Sequence, residues 1–305
     1  MNGAHGSELS SIAVCILTYK RPVLVERCLA ALCEQEVDGF VYTITVVDND
    51  GERSAEEIVN RFAGRSTPQV TYAVEPEQNI SRARNRAVAS STGDYIAFID
   101  DDECPEPSWL SRLLDACRRH GVDGVLGPVE PRYDGDSPMW LAESGLSTRP
   151  SFPTGTPLLL SKYMRTGNVL FARSIVVGLA EPFDPKLGRS GGEDADFFER
   201  MLRAGRRFVW CNEAVVHEWV PPERQTLNYH VRRAVIRGVT EAERHGWLSV
   251  DTLKSLVAIS AYGLSLPFLF FVRYSLFARY VVRCCDHGAK LLARAGFRLP
   301  DERSF

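Results

Sequence analysis

The chain has 305 residues, of which 45% are hydrophobic and 25% are charged, and its formal net charge is −3. This length suffices for one large domain or two smaller ones, and the composition is that of an ordinary globular protein. The eight cysteines are irregularly spaced without a C-x-x-C pair, which argues against a zinc module or a disulfide framework and fits a reducing cytoplasm. Residues 1–11 lack the features of a signal peptide. The net charge gives no indication of nucleic-acid binding, and we expect no nucleic-acid partner.

Strands and helices alternate over the first hundred residues. Short apolar runs predict strands at 12–17, 42–47, 69–74 and 95–99. Periodic apolar positions predict helices between them at 22–35, 54–62 and 81–90, with Pro22 opening the first helix and Asn79 or Ser81 capping the third. This alternation predicts right-handed βαβ units and therefore a Rossmann-like, doubly wound, mostly parallel α/β sheet.

The fourth predicted strand runs directly into four carboxylates, which belong to Asp100, Asp101, Asp102 and Glu103. A buried charge is costly unless it is paired, so the strand must end there and the carboxylates must lie at its carboxyl end. Thr18, Tyr19 and Asp48 end two earlier strands and are expected at the same edge, where open α/β sheets bind ligands. Carboxylates suit Mg²⁺ or Mn²⁺, which carry substrate phosphates. A solvated acidic turn is the alternative interpretation.

The rest of the chain is less regular. Further helices are predicted at 109–120 and 196–204, and further strands at 124–129, 166–171, 207–211 and 214–216. Residues 131–157 are rich in Pro, Gly, Ser and Asp, which predicts a long surface loop of the kind that often serves as a lid. No G-x-G-x-x-G follows the first strand and no G-x-x-x-x-G-K-[ST] occurs. A dinucleotide-binding Rossmann enzyme and a P-loop NTPase are therefore disfavoured.

Several motifs, in their order and spacing, resemble the inverting family 2 glycosyltransferases, which have the GT-A fold, over about residues 11–244. These motifs are Thr18-Tyr19-x-Arg21-Pro22, Val46-Val47-Asp48-Asn49, Asn79-Ile80-Ser81-x-Ala83-Arg84-Asn85, Gly93-Asp94-Tyr95-Ile96, the aspartate cluster and Glu193-Asp194. More narrowly, residues 165–168, 188–194 and 217–221 are similar to bacterial exopolysaccharide glucosyltransferases of the succinoglycan type. The Gln-x-x-Arg-Trp motif of processive members does not occur, which implies addition of a single sugar.

The resemblance implies a binding site for a UDP-sugar donor. Thr18, Tyr19 and Asp48 correspond to positions that hold the uracil and ribose, where a ring stacks on the base and a carboxylate accepts hydrogen bonds. Arg84 corresponds to an arginine over the uracil or diphosphate, although a solvated helix face would also explain it.

Four further residues are predicted to contact substrates, and these are Arg21, Asn79, Trp219 and Arg224. Trp219 would stack on a sugar ring, or would belong to the core. Arg224 would bind a phosphate of the donor or of a lipid-linked acceptor.

The resemblance also implies a divalent metal, Mn²⁺ or Mg²⁺, at the aspartate cluster. Asp102 would bind it and Asp101 would face the ribose, while Asp100 would act as a supporting partner. The metal would offset charge that develops on the leaving diphosphate. His217 is a candidate second metal ligand, although a lone histidine is equally well explained by a structural role.

Asp194 is the predicted general base, because it ends a Gly-rich loop immediately before a helix. It would take the proton of an acceptor hydroxyl, and Glu193 is the backup candidate. A single base without a second nucleophilic carboxylate fits one displacement with inversion. The alternative is that Glu193, Asp194 and Asp196 only stabilise a helix N-terminus.

Residues 255–272 contain no charged side chain over eighteen positions, which meets the lower length limit for a membrane-spanning helix. Gly263 and Pro267 weaken that interpretation. Basic residues follow among aromatic and aliphatic ones, at Arg273, Arg279, Arg283, Lys290, Arg294 and Arg298. We therefore expect a helix that lies on the cytoplasmic face of the inner membrane. A single span, a buried core helix and a dimer contact are the alternatives.

The predicted organisation has a flexible N-terminus at 1–10 and a GT-A domain at 11–245, with nucleotide-binding and acceptor-binding halves at 11–120 and 121–245. An amphipathic or apolar membrane-associating helical segment follows at 246–305. The predicted function is metal-dependent transfer of glucose from UDP-glucose to a polyprenyl-diphosphate-linked oligosaccharide.

Two alternative functions are considered less consistent with the sequence. A nucleotidyltransferase would need a basic residue in a Gly-rich loop after the first strand, and Lys20-Arg21 has no such loop. A degenerate carbohydrate-binding or scaffold subunit is opposed by the intact aspartates and Asp194.

Overall fold

The computed structural model describes residues 9–64, 67–133, 138–242 and 249–297. Residues 1–8 of the predicted flexible N-terminus lie outside these ranges, as does Arg298. The chain divides into two compact units, the first formed by Met1–Glu130 and Arg149–Trp219 and the second by Pro131–Thr148 and Val220–Phe305. This division differs from the predicted boundary at residue 245. It groups Pro131–Thr148 and the residues from Val220 onward with the C-terminal helices.

The strands are β1 (Ser10–Thr18), β2 (Phe40–Asp48), β3 (Gln69–Val74), β4 (Tyr95–Asp100), β5 (Glu103–Pro105), β6 (Gly124–Leu126), β7 (Val129–Tyr133), β8 (Asn168–Ala172), β9 (Phe208–Trp210) and β10 (Val216–Val220). The helices are α1 (Pro22–Cys33), α2 (Glu56–Ala63), α3 (Ile80–Ser90), α4 (Trp109–His120), α5 (Met139–Ser144), α6 (Glu193–Arg203), α7 (Leu227–Ala242), α8 (Val250–Val272) and α9 (Tyr274–Arg294).

The first unit is built on a seven-stranded sheet with the order β3-β2-β1-β4-β8-β6-β9. All neighbouring pairs are parallel except those of β8, which runs antiparallel to β4 and β6. The predicted doubly wound, mostly parallel α/β sheet is therefore confirmed.

Both faces of this sheet are covered, which explains why its central strands are apolar without interruption. In β1, Ile12, Val14 and Ile16 join a cluster of buried side chains that includes residues of α1, α2 and α4. Cys15 points to the other face and joins a cluster that includes residues of α3 and α6. Alternate residues of one strand thus supply two separate cores.

The register places the strand ends together. Thr18 at the end of β1 pairs with Asp48 at the end of β2, and Leu17 pairs with Asp100 at the end of β4. The expectation that polar residues following three strands meet at one edge is confirmed.

Three local predictions differ from the structure. The predicted loop at 131–157 contains the end of β7 and helix α5, although its residues 134–137 lie outside the described ranges. Helix α6 begins at Glu193 rather than at Asp196. His217 and Trp219 lie within β10, which pairs antiparallel with β5 in a smaller sheet of order β5-β10-β7, and not after a strand.

The second unit is helical. Its helix α8 is the segment, among the described residues, that is long and apolar enough to cross a membrane by length and composition. Only 11% of its most apolar 18-residue window is buried, and Leu264 and Phe271 are each 85% exposed. The alternative of a buried core helix is therefore not supported.

Helices α7 and α9 pack closely through Gly238, which lies against the carbonyl oxygen of Asp286 and would bring an added Cβ within 2.9 Å of the Ala289 Cβ. Charged side chains cross the same contact. The Arg237 Nε lies 2.8 Å from the Asp286 carboxylate, which also pairs with Lys290 at 3.2 Å.

We expect Gly238→Ala to destabilise the second unit by about 1–3 kcal/mol, because the added methyl group would force α7 away from α9. Gly288→Ala in α9 is the matched control, since an added Cβ there meets nothing within 4 Å. That control should be neutral or gain about 0.5–1 kcal/mol of helix stability. The midpoint of thermal unfolding of each variant measures the difference, and equal midpoints for the two variants would contradict the close packing.

Candidate active site

The aspartate cluster forms the turn between β4 and β5. Thr18 Oγ1 donates a hydrogen bond of 2.8 Å to Asp101 Oδ2, and Arg21 Nη1 lies 3.2 Å from Asp101 Oδ1. The same guanidinium lies 3.5 Å from Asp102 Oδ2. Asp101 is almost fully buried. The end of β1 and the start of α1 therefore hold Asp101 and partly neutralise its charge and that of Asp102.

Glu103 supports this turn from within the protein. Its side chain is completely buried, and Oε2 accepts a hydrogen bond of 3.1 Å from the Asp100 N–H. Oε1 has no hydrogen-bond partner among the described residues. Arg149 Nη1 lies 3.8 Å from it, and Arg149 also forms an ion pair with Glu218. Glu103 therefore shapes the turn rather than facing solvent as part of an acidic loop.

Gly167 lies directly against this pair of carboxylates. A Cβ at residue 167 would lie 2.8 Å from Glu103 Oε1 and 2.9 Å from Asp100 Oδ2. Only glycine lets the backbone approach the two carboxylates this closely.

The cluster is electrostatically unfavourable at neutral pH. Burial raises the pKa of Asp100 to about 6, an effect partly offset by Arg84. Burial likewise raises the pKa of Asp101 to about 6 against the opposing influence of Arg21. The pKa of Glu103 is raised well above its usual value by burial and by Asp100. These carboxylates would gain from an added cation.

The donor set fits a divalent metal that is shared with a substrate diphosphate. No group of three or more His, Cys, Asp or Glu side chains could enclose a metal ion within the part of the chain that the structure describes. Mg²⁺ usually needs only one or two carboxylates, since phosphates and water complete its shell. Asp102 and Asp100 carry such oxygens, although Arg21 Nη1 lies 3.5 Å from Asp102 Oδ2, and both oxygens of Asp101 are engaged by Thr18 and Arg21.

The structure does not bring His217 to Asp102. His217 is paired with Cys104, and its Nε2 lies 3.4 Å from Glu106 Oε1. The β10 residue beside Asp102 is Trp219, whose backbone N–H donates to the Asp102 carbonyl at 2.8 Å. The geometry thus gives no support to His217 as a metal ligand.

Asp48 is completely buried and shapes the loop after β2. Its Oδ1 accepts from the Asp50 N–H at 3.1 Å, while Oδ2 accepts from the Ala55 N–H at 2.8 Å and from the Tyr72 hydroxyl at 2.9 Å. Burial and this bond raise the pKa of Tyr72, which keeps its hydroxyl a donor. A nucleotide would have to share Asp48 with these three groups. Tyr19, in contrast, is 38% exposed, and Lys20 Nζ lies 5.5 Å from the centroid of its ring.

Helix α3 holds the Gly-rich loop at 183–192. The Asn79 side chain caps the helix by accepting from the Arg82 N–H at 3.1 Å, and it donates to the Pro185 carbonyl at 2.8 Å. Asn85 exchanges two hydrogen bonds with the backbone of Phe183, at 2.8 and 2.9 Å. The predicted cap is confirmed, and Asn79 acts here as a structural residue.

Arg84 and Glu193 form a buried ion pair. Each side chain is less than a tenth exposed, and the Arg84 guanidinium lies 5.6 Å from the centroid of the Phe183 ring. Arg84 is therefore not on a solvated helix face. Glu193 is held inside the protein, and this arrangement favours Asp194 over its neighbour as the carboxylate that meets an acceptor.

Asp194 lies in the first turn of α6, with its Oδ2 3.8 Å from Arg165 Nε. Its Oδ1 accepts from the Ala195 N–H at 2.7 Å, and 16% of the side chain is exposed. Arg165 is two residues from Gly167, which contacts Asp100 and Glu103. Residues 165–167 therefore connect the candidate base with the aspartate cluster.

For two of the predicted substrate-contacting residues, Trp219 and Arg224, the structure gives less direct support. The Trp219 ring is partly buried, with the Arg27 guanidinium 4.7 Å from its centroid, so it already packs on a cation. Arg224 belongs to the second unit, in a short helical turn at Pro222–Gln225. Its phosphate-binding role stays a prediction.

Sequence reasoning missed Arg149 and Glu218 as partners of the cluster. Arg149 lies within the predicted loop at 131–157, and Glu218 lies within the motif at 217–221. The Arg149–Glu218 pair joins residues 69 positions apart, and no local pattern marks such a contact.

Comparison with known proteins identifies the fold and the family. Residues 13–175 match the model of glycosyl transferase family 2. The chain is 37% identical over 255 residues to the succinoglycan biosynthesis protein ExoM of Rhizobium meliloti (strain 1021), covering 82% of this chain and 79% of that protein. It is 28% identical over 215 residues to the glycosyltransferase AglE of Haloferax volcanii, covering 68% and 67%. The structure of S. aureus TarS 1–349 in complex with UDP aligns with a TM-score of 0.55 at 15% identity, over 94% of this chain and 92% of that one.

We expect Asp100→Asn to stabilise the metal-free protein at pH 7.5 by about 1–3 kcal/mol. The pKa of Asp100 in the folded protein, about 6, lies above its ordinary value, so the charged carboxylate destabilises the fold above pH 6. This cost should disappear as the pH falls from about 6 to about 4. Denaturant unfolding in EDTA across that range measures the gain and its loss.

Asp94→Asn is the control of opposite sign, because hydrogen bonds from the Ser11 N–H and hydroxyl lower the pKa of Asp94. This substitution should reduce stability at pH 7.5. A loss of stability in Asp100→Asn under the same conditions would contradict the unfavourable charge assigned to the cluster.

Proposed function

We propose a specific reaction for this chain, which belongs to glycosyl transferase family 2. It transfers one sugar, glucose from UDP-glucose, with inversion to a polyprenyl-diphosphate-linked oligosaccharide in exopolysaccharide biosynthesis. The similarity to a succinoglycan biosynthesis protein supports the pathway class. The TarS structures in complex with UDP and with UDP-GlcNAc support a uridine diphosphate donor on this fold.

One observation carries this proposal. Gly167 lies so near the aspartate cluster that an added Cβ would meet Glu103 and Asp100, and Arg165 lies 3.8 Å from the candidate base. A donor diphosphate at the carboxylates and an acceptor hydroxyl at Asp194 would therefore meet within a single small region. Transfer needs this proximity, since holding both reactants in place removes much of the entropic barrier.

The donor side is assigned to exposed groups at the ends of β1 and β4. Tyr19 stacks on the uracil, and Arg21 lies between the carboxylates and the diphosphate. Asp102, supported by Asp100, would hold the divalent cation, whose positive charge would offset the charge that develops on the diphosphate.

The acceptor side is assigned to Asp194. Its carboxylate takes the proton from the acceptor hydroxyl, whose oxygen forms a bond to the anomeric carbon as the bond from that carbon to the diphosphate breaks. A positioned base of this kind typically contributes about 10²–10⁴-fold in rate. Attack from the face opposite the leaving group inverts the anomeric configuration.

Attachment to the cytoplasmic face of the membrane is assigned to the second unit. The apolar side chains Leu264, Phe268 and Phe271 of α8 are largely exposed, and basic residues of α9 follow in sequence. An apolar helix beside basic residues suits an anionic membrane surface. The acceptor's lipid anchor would present its sugars at that surface.

We expect Asp194→Asn to abolish transfer while leaving UDP binding unchanged, because the amide cannot accept the proton. Asp196→Asn is the matched control, since it removes the same charge from the first turn of α6, where Asp196 pairs with Arg200 at the surface. Asp102→Ala should retain the fold but lose the Mn²⁺-dependent part of UDP binding.

Calorimetry with UDP, with and without Mn²⁺, and transfer of radiolabelled glucose to extracted lipid-linked oligosaccharide provide the readouts. Equal loss of transfer in Asp194→Asn and Asp196→Asn would assign these residues to the helix terminus instead of catalysis. Unchanged Mn²⁺ dependence in Asp102→Ala would remove Asp102 from the metal site.

We expect the protein to float with vesicles containing anionic lipid and to be released by 0.5 M NaCl, as a surface-attached helix would be. Leu264→Asp and Phe271→Asp should reduce flotation severalfold. Val177→Asp, at a site in the first unit that is 71% exposed, is the matched control and should float normally. Retention on vesicles through both salt and alkaline carbonate would instead show a membrane span.

A further inference from the structure

The first unit contains a cavity of about 100 Å³ beside the candidate base. Its polar and aromatic lining consists of Arg149, Lys162, Tyr163, Arg165, Asn168 and Trp210, and the other lining residues are apolar, proline or glycine. Three lining side chains are cations, and no Asp or Glu lines the cavity. We call it the cationic pocket.

We propose that the cationic pocket binds a sugar of the acceptor that carries an acidic group, either a carboxylate or a phosphate. This inference rests on the proposed function, and it adds the chemical class of the acceptor to it. Neither the aspartate cluster nor the donor contacts require such a group.

The position of the pocket relative to the base supports an acceptor site. Arg165 lines the pocket, and its Nε lies 3.8 Å from Asp194 Oδ2. A sugar in the pocket would therefore lie beside the carboxylate that takes its proton. The donor contacts at Tyr19, Arg21 and Asp102 do not line the pocket.

The three cationic side chains that line the pocket differ in whether a carboxylate of the protein lies near them. Arg149 faces Glu103 and Glu218, and Arg165 faces Asp194. Lys162 forms no ion pair with a carboxylate of the described residues, and its Nζ lies instead 4.8 Å from the centroid of the Tyr163 ring. Lys162 is exposed, and an anionic ligand in the pocket would pair with its ammonium group.

The size and the walls admit a small ring-shaped ligand. At about 100 Å³, the cavity is several times larger than the roughly 10–15 Å³ that one water needs. Tyr163 and Trp210 both pack edge-on against Phe152, at 5.3 and 5.5 Å between centroids. This packing fixes two aromatic side chains at the wall of the pocket, where they offer apolar surface to the C–H groups of a ring. The Asn168 side chain donates hydrogen bonds to the Pro128 and Ala214 carbonyls, which fix this lining residue in position.

Ligand-observed NMR titration tests the preference, with UDP and Mg²⁺ present at saturation so that donor contacts are occupied. The probes are methyl glucuronoside, glucose 6-phosphate, methyl glucoside and inorganic phosphate. At least one acidic sugar should bind about two- to fivefold more tightly than methyl glucoside, as expected for one partly exposed ion pair. The tighter of the two acidic sugars identifies the anion.

Three variants test whether Lys162 causes the preference for the acidic sugar. Lys162→Gln should remove the preference for the acidic sugar, and Lys162→Arg should restore it. Arg119→Gln, which removes a positive charge from the exposed end of α4, should retain the preference. Equal binding of the acidic and neutral sugars to the unmodified protein would overturn the inference. Inorganic phosphate that binds as tightly as glucose 6-phosphate would also overturn it, since the sugar ring would then contribute nothing.

Calorimetry with UDP on UDP-free portions of the same protein preparations distinguishes a wrong acceptor class from a wrong donor. If UDP binds and the acidic sugar has no advantage, the acceptor class is wrong while the proposed function stands. If UDP does not bind, the proposed function fails, and the acceptor assignment fails with it.

Discussion

Several carboxylates lie at the end of one buried strand. The free-energy cost of burying their charges governs the arrangement of the first unit. Thr18 and Arg21 engage Asp101, the Asp100 N–H and Arg149 face Glu103, and Gly167 leaves room for the carboxylates to approach the backbone. These contacts recruit the end of β1, the start of α1 and the segment before β8. They do not remove the cost, because burial still raises the pKa values of Asp100 and Asp101 to about 6. The remaining imbalance is the charge that the proposed cation would offset at this edge.

Helix α3 holds the loop that precedes the candidate base, Asp194. A Gly-rich loop has a high conformational entropy, and its ordering must be compensated by specific contacts. Asn79 and Asn85 bind the loop backbone at Pro185 and Phe183, and Arg84 binds Glu193 beside Asp194. The polar residues of α3 would thus act on the proposed reaction through the position of Asp194. This explains why polar side chains with no evident access to a ligand occupy the buried face of that helix.

Local sequence patterns were sufficient for the framework of the fold. Apolar runs located β1 to β4, and the parallel topology then required Thr18, Asp48 and Asp100 to share an edge, as the register confirms. Prediction was weakest where the structure depends on long-range pairing. The Arg84–Glu193 pair joins residues 109 positions apart, and β5 is a three-residue strand formed by its partner β10 rather than by its own propensity. A polar side chain at a strand end looks the same in sequence whether it faces a ligand or, like Asp48, a loop amide.

The charge distribution around residues 165–167 suggests how two anionic substrates are kept apart. On one side, the aspartate cluster repels phosphates unless a divalent cation accompanies them. On the other side, the proposed cationic pocket would attract an anion without a metal, and Arg165 belongs to this pocket and also lies beside the candidate base. A metal-bound diphosphate and an acidic acceptor would each be favoured at one position and penalised at the other. Such opposed charges give specificity through repulsion as well as attraction, and they allow two negatively charged substrates to be adjacent during transfer without exchanging places.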